Sequence, residues 1–209
     1  QATRAQVRYA LSEVQALLRS MSSAATPSAA ARALSAMYRA LLDRPILSDG
    51  DAAGVVLPSL KSGYVDPDFR VRPVRTGARP ADEEWWAPAL VRTDLSTYLA
   101  GAMTSPAAWA APIVVLGQPG AGKSVLTKLL AARLPDTDFL VVRVVLREVP
   151  ADADVQDQIE AAVRAATGER TSWPELARAA DGAQLVVMLD GFDELLQATG
   201  VSHSDYLVR

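Results

Sequence analysis

The stretch Gly117-Gln118-Pro119-Gly120-Ala121-Gly122-Lys123-Ser124 decides how the rest of this chain is read. It has the form G-x-x-x-x-G-K-[ST], in which glycines let consecutive backbone N–H groups curve around phosphate oxygens without Cβ collisions. In that pattern the lysine, here Lys123, reaches the β- and γ-phosphates and the hydroxyl, here Ser124, serves Mg2+.

The flanks fit such a loop. Upstream, Ala111-Pro112-Ile113-Val114-Val115-Leu116 is a short apolar, β-branched run, expected to be a buried parallel strand. Downstream, Val125, Leu126, Leu129, Leu130 and Ala132 recur at helical spacing as far as Leu134, and Pro135 ends the helix. A helix that starts at the loop directs its partial positive charge at a bound anion. The candidate nucleotide contacts are therefore the eight loop residues and Val125.

A second constellation lies about sixty residues further on. Leu185-Val186-Val187-Met188-Leu189 is an apolar strand that delivers Asp190-Gly191-Phe192-Asp193-Glu194 at its C-terminal end, where parallel sheets bind ligands. A phosphate-loop enzyme needs one acid there for the metal and another for the attacking water. Asp190, at the strand end, is the candidate metal residue beside Ser124. Of the remaining two, Glu194 has the longer reach back across the turn and is the first candidate for catalysis, with Asp193 the second.

Between these motifs the pattern alternates as in an α/β domain. Phe139 to Leu146 is an apolar strand interrupted by Arg143, and Arg147 follows at its end, which places it at the C-terminal rim of the sheet. Asp154 caps a helix ending at Gly168, and Ser172-Trp173-Pro174-Glu175 has the form of a capping box that opens a short helix closing at Asp181-Gly182.

Upstream of the nucleotide motif, residues 4–21 and a second segment opened by Thr26-Pro27 as N-cap and first-turn proline carry apolar stripes at helical spacing. Residues 1–48 read as a helical hairpin. Prolines and glycines break up residues 49–92 into a connector in which Trp85-Trp86 is expected to anchor on the following domain. Leu95 to Met103 forms a short helix, and the α/β segment occupies residues 93–209.

Composition narrows the function classes. A net charge of −3 over 209 residues supplies no global basic field, so nucleic acid is not indicated as a partner, and the run Arg70, Arg72, Arg75, Arg79 reads as a solvated linker. With no cysteine and a single histidine, His203, there is no thiol nucleophile, disulfide framework or multi-histidine metal site. No apolar run is long enough for a membrane helix, and the expected location is cytoplasmic.

The motifs together resemble a known family, the NACHT NTPases of the signal-transduction ATPases with numerous domains. GQPGAGKSVLTKLL resembles the family's phosphate loop and helix, LREV (Leu146 to Val149) its short Arg-Glu motif, and VVMLDGFDELLQ its extended Walker B, with a small residue, Gly191, after the magnesium Asp and acids two and three positions later. The similarity covers about residues 95–209. It implies a P-loop NTPase fold, a parallel sheet flanked by helices and preceded by an N-terminal helical segment, with ATP, ADP and Mg2+ as ligands and Arg147 near the nucleotide or the acidic Walker B turn. It further implies a switch in which ADP keeps the protein closed and ATP permits self-association and effector activation, in bacteria a defence against phage, with trigger and effector unnamed. The alternative is a nucleotide-binding scaffold without turnover. The family's sensor strand, helical domain and winged helix have no counterpart in these 209 residues, so the resemblance implies part of a larger protein. It also implies an incomplete sheet, with a gap between the phosphate-loop strand and the Walker B strand, and little turnover in this piece alone.

Overall fold

The computed structural model describes residues 26–44, 58–150 and 152–192. In chain order these form helices α1 (Ala29–Leu42), α2 (Leu95–Thr104) and α3 (Lys123–Arg133), strand β1 (Phe139–Val145), helices α4 (Val155–Thr167) and α5 (Trp173–Ala179), and strand β2 (Gln184–Asp190). The expected helix over residues 4–21 lies outside the described residues.

Two compact units are present: residues 26–44, 58–63, 115–150 and 152–192 make one, and residues 64–114 the other. The first holds α1 together with the sheet, and the second holds α2, whereas the sequence reading divides the chain at residues 48 and 92.

The first unit is mixed α/β, a two-stranded parallel sheet with helices packed against it. The strands run in register from Phe139 beside Gln184 to Val145 beside Asp190. Parallel strands need a crossover connection, and α4 and α5 supply it. Leu140, Val142 and Val144 alternate along β1 and are wholly buried. With Leu34 of α1, Leu129 of α3, Val163 of α4 and Leu176 of α5 they form the core, each such side chain contributing about 1.5–3 kcal/mol by leaving water.

The helix ends follow local chemistry. Asp154 Oδ1 accepts the Asp157 N–H at 2.8 Å and α4 closes at Gly168, while Glu175 and Ser172 form the expected capping box of α5. At α1 the expectation is corrected by two residues. Ser28, not Thr26, is the N-cap: its Oγ accepts the Ala31 N–H at 3.1 Å, and Pro27 stands before the cap rather than in the first turn. A hydroxyl there satisfies one of the N–H groups that a helix start leaves without a partner.

A larger correction concerns residues 111–116. The run expected as a buried strand belongs to no strand among the described residues, and Ile113, Val114, Val115 and Leu116 are 44% to 67% exposed. Apolar, β-branched composition favours an extended chain, but a strand exists only where a neighbour takes up its N–H and C=O groups. Among the described residues the sheet consists of β1 and β2 alone, and neither pairs with this run.

The second unit is held by local contacts. Phe69 and Arg92 form an antiparallel bridge, and the Arg92 guanidinium binds Asp94 in a two-pronged pair while lying 4.8 Å from the Tyr98 ring centroid. Ser96 donates its hydroxyl proton to Asp66 at 2.7 Å at the start of α2. Trp85 and Trp86, expected as an anchor on the following domain, have contacts within this unit. Their rings meet edge to face, Arg72 stacks on Trp85, and Trp86 Nε1 donates to the Pro80 carbonyl at 2.9 Å. An indole N–H takes the nearest carbonyl that geometry allows. No described helix is long and apolar enough to cross a membrane.

Candidate functional site

The glycine loop runs directly into α3. Gly120 and Gly122 both have φ above +80°, the left-handed region that other residues enter at a cost. Gly122 is the N-cap of α3 and brings no side-chain cap, so the end of the helix dipole faces the loop. Lys123 folds back across the loop and donates from Nζ to the Gly117 carbonyl at 2.7 Å. An ammonium group there lies where it could neutralise an anion cradled by the same backbone.

At the second residue of α3, Ser124 meets the end of β2. Ser124 Oγ donates to Asp190 Oδ1 at 2.8 Å, across 66 residues of sequence. Asp190 is buried, which the sheet explains: it is the last residue of β2, held beside Val145 by the parallel register. Gly191 then turns the chain away with a φ of +86°.

Two further residues join them that sequence reasoning does not assign to the site. Thr127, on α3 one turn after Ser124, has its hydroxyl 3.0 Å from both Asp190 Oδ2 and the Ser124 carbonyl, and its single proton can serve one of these at a time. Arg143 of β1 donates from Nε to Thr127 Oγ1 at 2.9 Å and from Nη2 to Asp190 Oδ2. The signal available was a charge in an otherwise apolar strand. Because β1 and β2 pair in register, Arg143 stands beside Met188, and side chains two positions apart share a face; Asp190 is therefore on the face of Arg143.

Helix α1 completes the arrangement. The Arg143 backbone N–H donates to Tyr38 Oη at 2.8 Å. Burial pushes the Tyr38 phenol above its usual pKa, and the hydrogen bond and charge of Arg143 partly offset that.

Of the other candidates, Arg147 falls in the 3-10 turn Leu146–Glu148 just past the end of β1, at the same rim as Asp190, with its guanidinium 3.8 Å from Glu148 and two-thirds exposed. Val125 lies in the first turn of α3. Asp193 and Glu194 lie outside the described residues.

Hydroxyl and carboxylate oxygens are hard donors of the kind Mg2+ prefers. Among the described residues no group of three or more acidic, histidine or cysteine side chains could hold a metal by itself. Ser124 and Asp190 are two oxygen donors of that kind, 2.8 Å apart. Compared with protein-family models, curated proteins and solved structures, the chain matches none.

Proposed function

We propose that residues 117–125 bind the phosphates of ATP or ADP, that Ser124 and Asp190 serve the accompanying Mg2+, and that the protein is a nucleotide-controlled switch of the NACHT type. The observation that carries this reading is the Ser124–Asp190 hydrogen bond, which joins the hydroxyl of the glycine-loop motif to the acid at the end of an apolar parallel strand. The bond supports the reading because it joins residues of two separate motifs that lie 66 positions apart.

In this reading the loop backbone and the start of α3 hold the phosphates, and Lys123 exchanges the Gly117 carbonyl for a phosphate oxygen. Bound Mg2+ supplies charge neutralisation at the phosphates. Asp190 would hold the metal, Glu194 and then Asp193 are the acids offered to the attacking water, and Arg147 stands at the rim near the nucleotide or the acidic turn after β2. Exchange of ADP for ATP governs self-association and signalling in the cytoplasm, as a bacterial antiphage device.

A second reading, a scaffold that binds nucleotide without turnover, draws on Arg143, which already neutralises Asp190. The two separate on particle mass and turnover in the full-length protein. A switch retains ADP through purification, and on ATP with its trigger it grows in mass and hydrolyses ATP. A protein that binds ATP yet neither assembles nor turns it over is a scaffold.

A further inference from the structure

Arg143 belongs to none of the motifs that define the site, yet it is the most constrained charge in it. Its side chain is 8% exposed and that of its partner Asp190 5%. A guanidinium in the middle of a core strand is costly unless it is paired and its donors are used. Nε is engaged by Thr127, Nη2 by Asp190, and the backbone N–H of the same residue by Tyr38.

This arrangement divides the two oxygens of Asp190. Oδ2 takes the protons of Arg143 and, when so turned, of Thr127; Oδ1 takes the proton of Ser124. The carboxylate is thus fixed by α3 on one side and β1 on the other. One oxygen is committed to a fixed cation and the other faces the serine.

The charge consequence is specific. An acid beside bound phosphates repels them, and a divalent ion is the usual remedy. Arg143 supplies a permanent positive charge on the far oxygen, so the acid's repulsion is offset before any metal arrives. A divalent ion held by Asp190 would meet a carboxylate already partly neutralised and would gain less from it.

The geometry points to Arg143 as a positioning residue that holds Asp190 in place and makes retention of a nucleoside diphosphate nearly independent of divalent metal. The inference rests on the nucleotide site proposed above. It assigns Arg143 no contact with the nucleotide, and its action runs through Asp190.

The test is the ADP affinity of the full chain, measured by titration calorimetry in Mg2+ and again in EDTA, for the wild type, Arg143→Met and Arg143→Lys. In the wild type the two affinities lie within about 3-fold; in Arg143→Met the ratio in favour of Mg2+ rises to about 10-fold or more, a difference of about 1.4 kcal/mol. Arg143→Lys, which keeps the charge, stays close to the wild-type ratio. A wild-type ratio above about 10-fold overturns the inference, and it does so even if Arg143→Met fails to fold. An Arg143→Met protein that folds and keeps the wild-type ratio also overturns it, leaving Arg143 a structural role alone. Failure of the wild type to bind ADP in either buffer removes the nucleotide site itself, a result distinct from binding with strong metal dependence.

Discussion

Tyr38 and Arg143 are 105 residues apart, and the phenol oxygen of the first accepts the backbone N–H of the second at 2.8 Å. The bond gives a buried donor of β1 an acceptor outside its ladder to β2, and it ties α1 to the strand that carries the cation behind Asp190. Tyr38→Phe leaves that N–H without its acceptor and should lower stability by about 1–3 kcal/mol in urea unfolding. The pH dependence follows from the raised pKa of Tyr38. The folded protein holds the phenol proton more tightly than the unfolded chain. The stabilisation is therefore complete below the usual value of 10.0 and is lost as pH rises through the folded pKa. The phenylalanine variant should lack this alkaline loss.

Asp190 is expected to matter for the fold as well as for ligands. Asp190→Ala strands the Arg143 guanidinium in the core, which should cost about 3–5 kcal/mol. Adding Arg143→Met should restore much of that loss, because the unpaired charge goes with it. A double variant no more stable than Asp190→Ala would show that the pair is not coupled.

Gly122 is needed for its backbone, not for space. Its φ is +88°, and a Cβ there would meet nothing within 4 Å. Gly122→Ala should therefore lose about 1–2 kcal/mol of stability from the left-handed conformation alone, read as a lower melting temperature. An unchanged melting temperature would mean that the loop relaxes to another conformation.

Within the proposed switch, the acids after Gly191 share the work. In the full-length protein Glu194→Gln should preserve ATP binding while slowing single-turnover hydrolysis about 10²-fold or more, with Asp193→Asn slowing it less. If neither substitution slows hydrolysis, the division of roles is wrong.

The sequence made the helices and the two paired strands legible because their signals are local: Asp154 and Gly168 bracket α4, Ser172 and Glu175 open α5, and two apolar runs mark β1 and β2. It also named Ser124 and Asp190, each as a candidate metal residue, and the fold brings the two within 2.8 Å of each other. What it missed depends on neighbours. Ile113 to Leu116 has the composition of a strand, but composition cannot provide the edge that a strand must pair with. Arg143 looks like a blemish in an apolar run until the register of β1 on β2 places it on the face of Asp190, and Thr127 has no meaning apart from that face. The contact of Tyr38 with Arg143 joins α1 to the sheet, and no helical stripe discloses which residue at the far end will receive it.

The central claim is that the glycine loop binds nucleotide phosphates, and calorimetric titration of ATP in Mg2+ into the wild-type chain and Lys123→Ala tests it most directly. The Lys123 ammonium reaches the Gly117 carbonyl from an exposed position, so its removal should leave the fold intact by circular dichroism. The wild type should bind, and Lys123→Ala should bind about 10- to 100-fold more weakly, since a hydrogen bond to a charged group is worth about 1.5–3 kcal/mol. Equal affinity in the two folded proteins, or no binding by the wild type, would contradict it.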